Sequence, residues 1–282
     1  MGTKNIDTRD SIRVVTSNNI FKMTGLEEIG IQARKLLYLA IAQCRKDDSE
    51  FYEFSITARK FAELMDIKPQ AVYNTADDIT DQLMKGFFKY KEGGKKRFVK
   101  FQLFKKCDYT NGVLTFQMSE EMAGIVLNLK KDFSKPLLND FMKFKSKYSI
   151  SVWHLMQREM KSQKPKEEND IYYFTLTLAE LRFVTGTVDS FIRLSRFKEK
   201  VLDKAIEEIA ENCGVEIKYT YIKDGRTVVA FNFIATKTKD AKDDIVRIDE
   251  SRPGLEEAKK RASEGLKRIE ENKKRLHGQL NF

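Results

Sequence analysis

Residues 31–45, IQARKLLYLAIAQCR, place Ile31, Leu36, Leu37, Ala40, Ile41 and Cys44 at helical spacing. A charged loop, KDDSE, follows, and then FYEFSI, whose alternation predicts a short strand. Thr57 stands where it can cap a helix over 58–65, ARKFAELM. Asp66-Ile67-Lys68-Pro69 predicts a turn. Pro69 suits the first turn of a second helix over about 69–85, with the core stripe Val72, Ala76, Ile79 and Leu83, ended by Gly86. FFKYK and RFVKFQLF, joined by EGGKK, carry a hairpin signature, and VLTFQM follows the Asn111-Gly112 turn as a further strand.

The pattern then recurs. SISVWHLMQREM is an amphipathic helix, a polar loop (KSQKPKEEND) follows, and IYYFTL reads as a strand. Thr177 caps LAELRFVT, Gly186 marks the turn, and a longer helix runs from about 189 to 211 on Phe197, Val201, Leu202, Ala205, Ile206 and Ile209. VEIKYTYI and TVVAFNFI flank KDGR as another hairpin. Phe54 matches Phe174, and VKFQLF is aligned with VAFNFI. Helix, strand, helix, turn, helix and two-stranded wing is the order of the winged-helix module, a helix-turn-helix with an appended hairpin. The expected fold class is α+β: two tandem winged-helix domains with a charged C-terminal tail. The expected boundaries are 1–134, 135–238 and a tail over 239–282. Two α+β domains without a nucleic-acid role would share this pattern.

Between the modules, LNLKKDFSKPLLNDFMKFKSKYS puts Leu137, Leu138, Phe141 and Phe144 at helical spacing, which predicts a packed connecting helix. The tail begins with TKTKDAKDDIVRIDESRPG, a polar stretch of disordered type. LEEAKKRASEGLKRIEENKKRL then carries a thin helical stripe that Gly265 interrupts.

Charge changes the picture. The chain has 282 residues and a formal net charge of +10, which points to a polyanionic partner, nucleic acid before membrane. No stretch approaches the roughly 18 apolar residues of a membrane helix. MGTKNIDTRDSIRVV has no apolar signal core, and Ile6 fills the place where a myristoylation motif wants Ser or Thr. A cytoplasmic location is expected. The three cysteines, Cys44, Cys107 and Cys213, are widely spaced, which argues against a disulfide framework or a zinc site.

In the second module Arg193, Ser195, Arg196, Lys198, Lys200 and Lys204 cluster on the long helix, with five basic residues against three acidic ones between Asp189 and Lys204. A recognition helix reads bases from its N-terminal residues, and arginine can grip the O6 and N7 edge of guanine through two hydrogen bonds. A solvated charged face would have the same composition. Lys223 and Arg226 flank the second wing's turn. In the first module the corresponding helix is acidic, with Asp77, Asp78 and Asp81, so only its start, with Lys68, Gln70, Tyr73 and Asn74, suits DNA. KYKEGGKKR, taken as the first wing, supplies Lys95, Lys96 and Arg97. The first module is therefore expected to hold the phosphate backbone and the second to read bases.

Nothing points to catalysis, a metal or a cofactor. There is no G-x-x-x-x-G-K-[ST] phosphate loop, and the two histidines, His154 and His277, are far apart. A nicking enzyme with a metal beside a nucleophilic tyrosine cannot be assembled from them. His154, next to Trp153 on a core helix, reads as a packing residue.

The stretches YSISVWHLMQ, FTLTLAELRFVTG and SRFKEKVLDKAIEEIAENCGVEIKYTYIKDGRTVVAFNF resemble the plasmid replication initiators of the RepE/RepB type. VVTSNNIFKMTGLEEIGIQARKLLYLAIAQ is similar to the family's entry segment, so the resemblance spans roughly 12–236. It implies binding of double-stranded origin DNA at repeats (iterons) as a monomer and recruitment of the host initiator and helicase. It further implies repression of the protein's own promoter by dimers joined through the first domain. By position, it assigns DNA reading to residues 190–204 and wing contacts to Lys223 through Arg226. A winged-helix transcription regulator without a replication role is the alternative.

Overall fold

The computed structural model describes residues 3–9, 12–45, 48–85, 88–91, 98–127, 129, 133–162 and 170–237. The expected tail, 239–282, lies outside them. The chain forms two compact units, residues 1–150 and 151–282.

The first unit contains β1 (Thr3–Asn5), β2 (Thr16–Ser17), α1 (Ile31–Gln43), β3 (Glu53–Thr57), α2 (Ala58–Met65) and α3 (Val72–Lys85). Next come β4 (Phe88–Lys91), β5 (Phe98–Phe101), β6 (Phe104–Thr110), β7 (Val113–Met118), α4 (Ala123–Val126), β8 (Phe133–Ser134) and α5 (Leu138–Lys143). Helix α6 (Lys147–Ser162) begins in this unit and carries the chain into the second. The main sheet runs β1-β3-β7-β6, with β1 parallel to β3 and the other pairs antiparallel. Two small ribbons, β4-β5 and β2-β8, stand apart from it.

The second unit contains β9 (Ile171–Thr177), α7 (Leu178–Thr185), α8 (Leu194–Phe197), α9 (Asp203–Cys213), β10 (Val215–Asp224) and β11 (Thr227–Lys237). Its antiparallel sheet has the order β10-β11-β9. A π-helical turn, Lys198–Leu202, joins α8 to α9 without leaving helical backbone angles.

The registers locate the true repeat. Phe54 of β3 pairs with Phe116 of β7, and Phe174 of β9 pairs with Phe233 of β11. Their ring centroids lie 6.3 and 5.4 Å apart, and all four rings are buried. Each such side chain contributes on the order of 1.5–3 kcal/mol of apolar burial. Strand β7, not VKFQLF, is therefore the counterpart of VAFNFI, and the first unit's wing is β6-β7, turning at Asn111-Gly112. The EGGKK segment falls between β4 and β5 in sequence and lies outside the described residues. Residues 98–104 mislead because they alternate just as a wing strand does.

Two further expectations change. Among its described residues the connecting segment is helical over α5 and again from Lys147, where α6 begins; Leu137 bridges to Arg13, and Phe144 is fully buried but extended. Phe141 stacks on Tyr38 of α1 at 4.5 Å. Residues 135–150 thus fold with the first unit. The start of α6 is held there too: buried Arg34 donates to the carbonyls of Leu26 (2.7 Å) and Lys147 (3.2 Å), and Lys147 Nζ donates to that of Glu27 (2.7 Å). In the second unit the long helix starts at Leu194 rather than near 189, because residues 186–193 form an ordered loop.

Both strand-to-helix junctions carry the expected threonine caps. The Thr177 hydroxyl accepts from the Glu180 amide (3.0 Å), and the Glu180 carboxylate accepts from the Thr177 amide (3.0 Å), a closed capping box. Thr57 accepts only from the Lys60 amide, at 3.4 Å, because a lysine stands where the reciprocal glutamate would be. Thr177→Ala is expected to cost about 1–2 kcal/mol, and Thr57→Ala under about 1 kcal/mol, in urea unfolding followed by circular dichroism. Equal losses would contradict the difference between the two caps.

Candidate nucleic-acid interface

The helix-turn-helix of the second unit is α7, the loop over 186–193, and the helix that opens at α8. Gly186 takes φ +67°, the left-handed conformation that lets α7 stop while its amide bonds back to the helix. Arg182 then organises the loop. Its Nη1 donates to the carbonyls of Thr187 (2.8 Å) and Ser190 (3.0 Å), and its Nη2 to those of Phe191 (2.9 Å) and Ile192 (3.2 Å). The guanidinium also lies 4.7 Å from the centroid of the buried Phe197 ring. One planar fork of donors suits such a cluster of carbonyls, which an ammonium would match poorly.

Arg193 is the N-cap residue of α8, and Arg193, Ser195, Arg196, Lys200 and Lys204 are all exposed. Phe197, Val201, Leu202, Ala205 and Ile209 take the buried side. Arg196 and Lys200 both reach Glu199, at 3.1 and 2.7 Å. The Lys200 and then the Arg196 contact hold the Glu199 carboxyl below its usual range. Lys198 differs from its neighbours. Its Nζ donates to the Tyr221 hydroxyl and sits over the Tyr219 and Tyr221 rings, and Tyr219 in turn donates to Asp203. The bond to Tyr221 raises Lys198 above the usual lysine range, so it stays cationic while bracing the helix against β10.

The second wing is β10-β11, with Asp224 paired to Thr227 across Gly225-Arg226 and Gly225 at φ +57°. Lys223 and Arg226 are exposed at its tip. A register shift at Ile222/Lys223 bends the ribbon just above Ile222, Val229 and Ala230, which are buried together.

In the first unit, Asp66 in the left-handed conformation ends α2, and a 3-10 turn over Pro69–Ala71 leads into α3. Lys68, Gln70 and Asn74 are exposed at this entry, beside Tyr73, which is 63% exposed and meets Tyr109 of the wing edge-on at 5.6 Å. Asp77 and Asp78 are exposed on α3, and Asp81 pairs with Lys85. The β6-β7 wing is not a basic one. Lys106 is paired with Glu53 at 2.6 Å, Lys105 with Glu120 at 3.1 Å, and the tip carries Asp108 and Asn111. Lys95, Lys96 and Arg97 lie outside the described residues, between β4 and β5. The described part of that ribbon exposes Phe98 with Lys89 Nζ 4.8 Å from its ring centroid.

Sequence reasoning missed Arg182 and the π turn. Arg182 sits inside the apolar pattern LAELRFVT, where an arginine reads as solvated surface. Only the length of the segment between Gly186 and Leu194 hinted that the loop needed an anchor.

Other chemistry is quiet. Among the described residues no group of three or more His, Cys, Asp or Glu could hold a metal ion, and no helix is long and apolar enough to cross a membrane. Burial pushes the Cys44 and Cys107 thiols up to about 12, so neither is a thiolate at neutral pH. His154 is buried on α6, and burial, then Arg158, lowers it to about 3.

Two winged-helix units, one with a loop-anchored basic helix, define a DNA-binding protein of tandem winged-helix architecture. Residues 13–157 match the family described as Initiator Replication protein, WH1, and residues 177–235 match Initiator Rep protein, WH2. The chain belongs to this family, the plasmid replication initiators of the RepE/RepB type, a DNA-binding family. An Escherichia coli replication initiation protein is 24% identical over 172 residues, covering 61% of this chain and 52% of the relative. The chain thus spans about half the length of the curated relative it matches. The crystal structure of the Pi initiator protein in complex with iteron DNA has the same fold, with a TM-score of 0.68 at 18% identity over 83% of this chain and 100% of that one.

Arg182→Ala is expected to raise amide hydrogen exchange across 187–193 by tenfold or more while leaving β10-β11 unchanged, as mass spectrometry would read it. The His154 ring should show no titration between pH 5 and 8 by NMR. Its folded pKa lies below the unfolded 6.5, so its contribution is present above pH 6.5 and is lost as pH falls toward about 3. His154→Leu should flatten that part of the stability–pH curve.

Proposed function

We propose that this protein initiates plasmid replication by binding repeated sequences in origin DNA and recruiting the host initiator and helicase, and that as a dimer it represses its own promoter. The observation that carries this reading is the exposed run Arg193, Ser195, Arg196 at the start of a helix whose preceding loop is locked by Arg182. Base contacts come from the N-terminal residues of such a helix. In this reading Arg193 and Arg196 meet base edges. Ser195, Lys200, Lys204, Lys223 and Arg226 hold phosphates, and Lys198 adds its charge from its seat on Tyr221. Glu199, shared by Arg196 and Lys200 in the free protein, keeps both extended until DNA replaces it.

The first unit contributes backbone contacts. Lys68, Gln70 and Asn74 approach from the entry of α3, and Lys95, Lys96 and Arg97 add their charge from the sequence between β4 and β5. Asp77 and Asp78 oppose deep entry of α3 into a groove, since like charge near phosphate is repelled. Dimerisation through this unit is part of the same proposal.

A footprint on the origin of the parent plasmid should show protection of tandem repeats. Arg193→Ala or Arg196→Ala should reduce preference for the repeat by about 1–3 kcal/mol per lost base contact in competition binding. Changing Lys95 and Lys96 together to Ala should weaken all sequences alike and reduce the slope of log K against log salt by about 2. If both sets of changes act identically, the division of labour is wrong. Protection of a promoter alone, with no origin repeats bound, would remove the replication role, and a nick in supercoiled origin DNA would replace binding with catalysis.

A further inference from the structure

We propose that Ile192 is a sequence-determining residue that packs against the C5-methyl group of a thymine in the major groove. The inference rests on base reading by the second unit. Ile192 is 70% exposed, the most exposed of the large apolar side chains on the described surface. A single exposed apolar residue needs no explanation by itself. What sets Ile192 apart is how firmly its backbone is held and what it stands beside.

Phe191, immediately before it, has φ +48°, a left-handed conformation uncommon for an aromatic residue and maintained only where the surroundings fix it. The carbonyls of Ser190, Phe191 and Ile192 all accept from the Arg182 guanidinium, which is itself packed on Phe197. The loop cannot turn Ile192 inward without breaking those bonds. Arg193, the next residue, is the N-cap of the reading helix, so Ile192 projects at the end of that helix from which base edges are reached. Its branched side chain has little rotamer freedom to lose on contact. It offers no hydrogen bond, and the one apolar feature that distinguishes bases in the major groove is the thymine methyl. Arg193 beside it is suited to guanine, so the pair Ile192-Arg193 would read a thymine next to or near a guanine.

The test uses the full-length protein. A duplex is selected from random-sequence DNA, and each thymine of the selected site is replaced singly by uracil, which removes only the methyl group. Affinities are measured for the wild type, Ile192→Ala, Ile192→Val and Arg193→Ala. At one thymine, uracil should weaken the wild type about three- to fivefold, the effect of one buried methyl group. That loss should vanish in Ile192→Ala and persist in Ile192→Val. If the uracil effect is the same in Ile192→Ala as in the wild type at every thymine, Ile192 reads no methyl group and the proposal is overturned. Base reading would survive that result provided Arg193→Ala still lowers sequence preference. If no sequence is selected at all, base reading and this proposal fall together.

Discussion

In both units a β-strand hands the chain to a helix at a threonine, and the geometry of that junction governs what lies beyond it. The hydroxyl satisfies an amide that the first helical turn leaves open, and it does so from the strand's last paired residue. The strand is held by the buried cross-strand pairs Phe54-Phe116, tilted, and Phe174-Phe233, stacked, so the helix that follows starts from a fixed strand end. Everything a winged helix presents outward is built on this joint: the second helix, the turn and the helix after it. The second unit has the tighter version, with Glu180 closing the box, and it is also the unit with the more elaborate exposed helix.

Much of this was legible in the residues. The threonine caps, Pro69, Gly186 and the Asn111-Gly112 and Gly225-Arg226 turns act locally, and each appears where its chemistry predicts. The wing of the first unit was not. FVKFQLF and VLTFQM both alternate, and only long-range pairing of Phe116 with Phe54 tells which one completes the sheet. The connecting segment is not one helix because Leu137 bridges to Arg13 and the buried Phe144 ends α5 in extended backbone, its ring edge-on to Phe141, tertiary effects that spacing cannot register. Among the candidate contacts, Arg193, Ser195, Arg196, Lys200, Lys204, Lys223 and Arg226 are exposed as expected, whereas Lys198 is partly committed to Tyr221. Composition cannot distinguish these two situations, because it does not show which lysine meets an aromatic pair across the helix–strand junction.

The charge distribution also departs from a simple picture of a basic protein. The net +10 is not spread evenly over the surface elements. The exposed side of α3 carries Asp77 and Asp78, and the β6-β7 wing neutralises its lysines with Glu53 and Glu120. In the second unit the one carboxylate among the outward cations of the helix start, Glu199, is bound by Arg196 and Lys200. Such exposed pairs are worth little as stabilisers.

The π turn at Lys198–Leu202 has a consequence for how such a helix can diversify. Because this turn holds one residue more than an ordinary one, Phe197 and Leu202, five positions apart, both reach the interior. Loss of a single codon there would restore the regular winding and leave both flanks facing as they do, because the two residues would then stand four apart, on one face of an ordinary helix. A relative could thus gain or shed one residue at this place and still offer the same leading side chains to its partner.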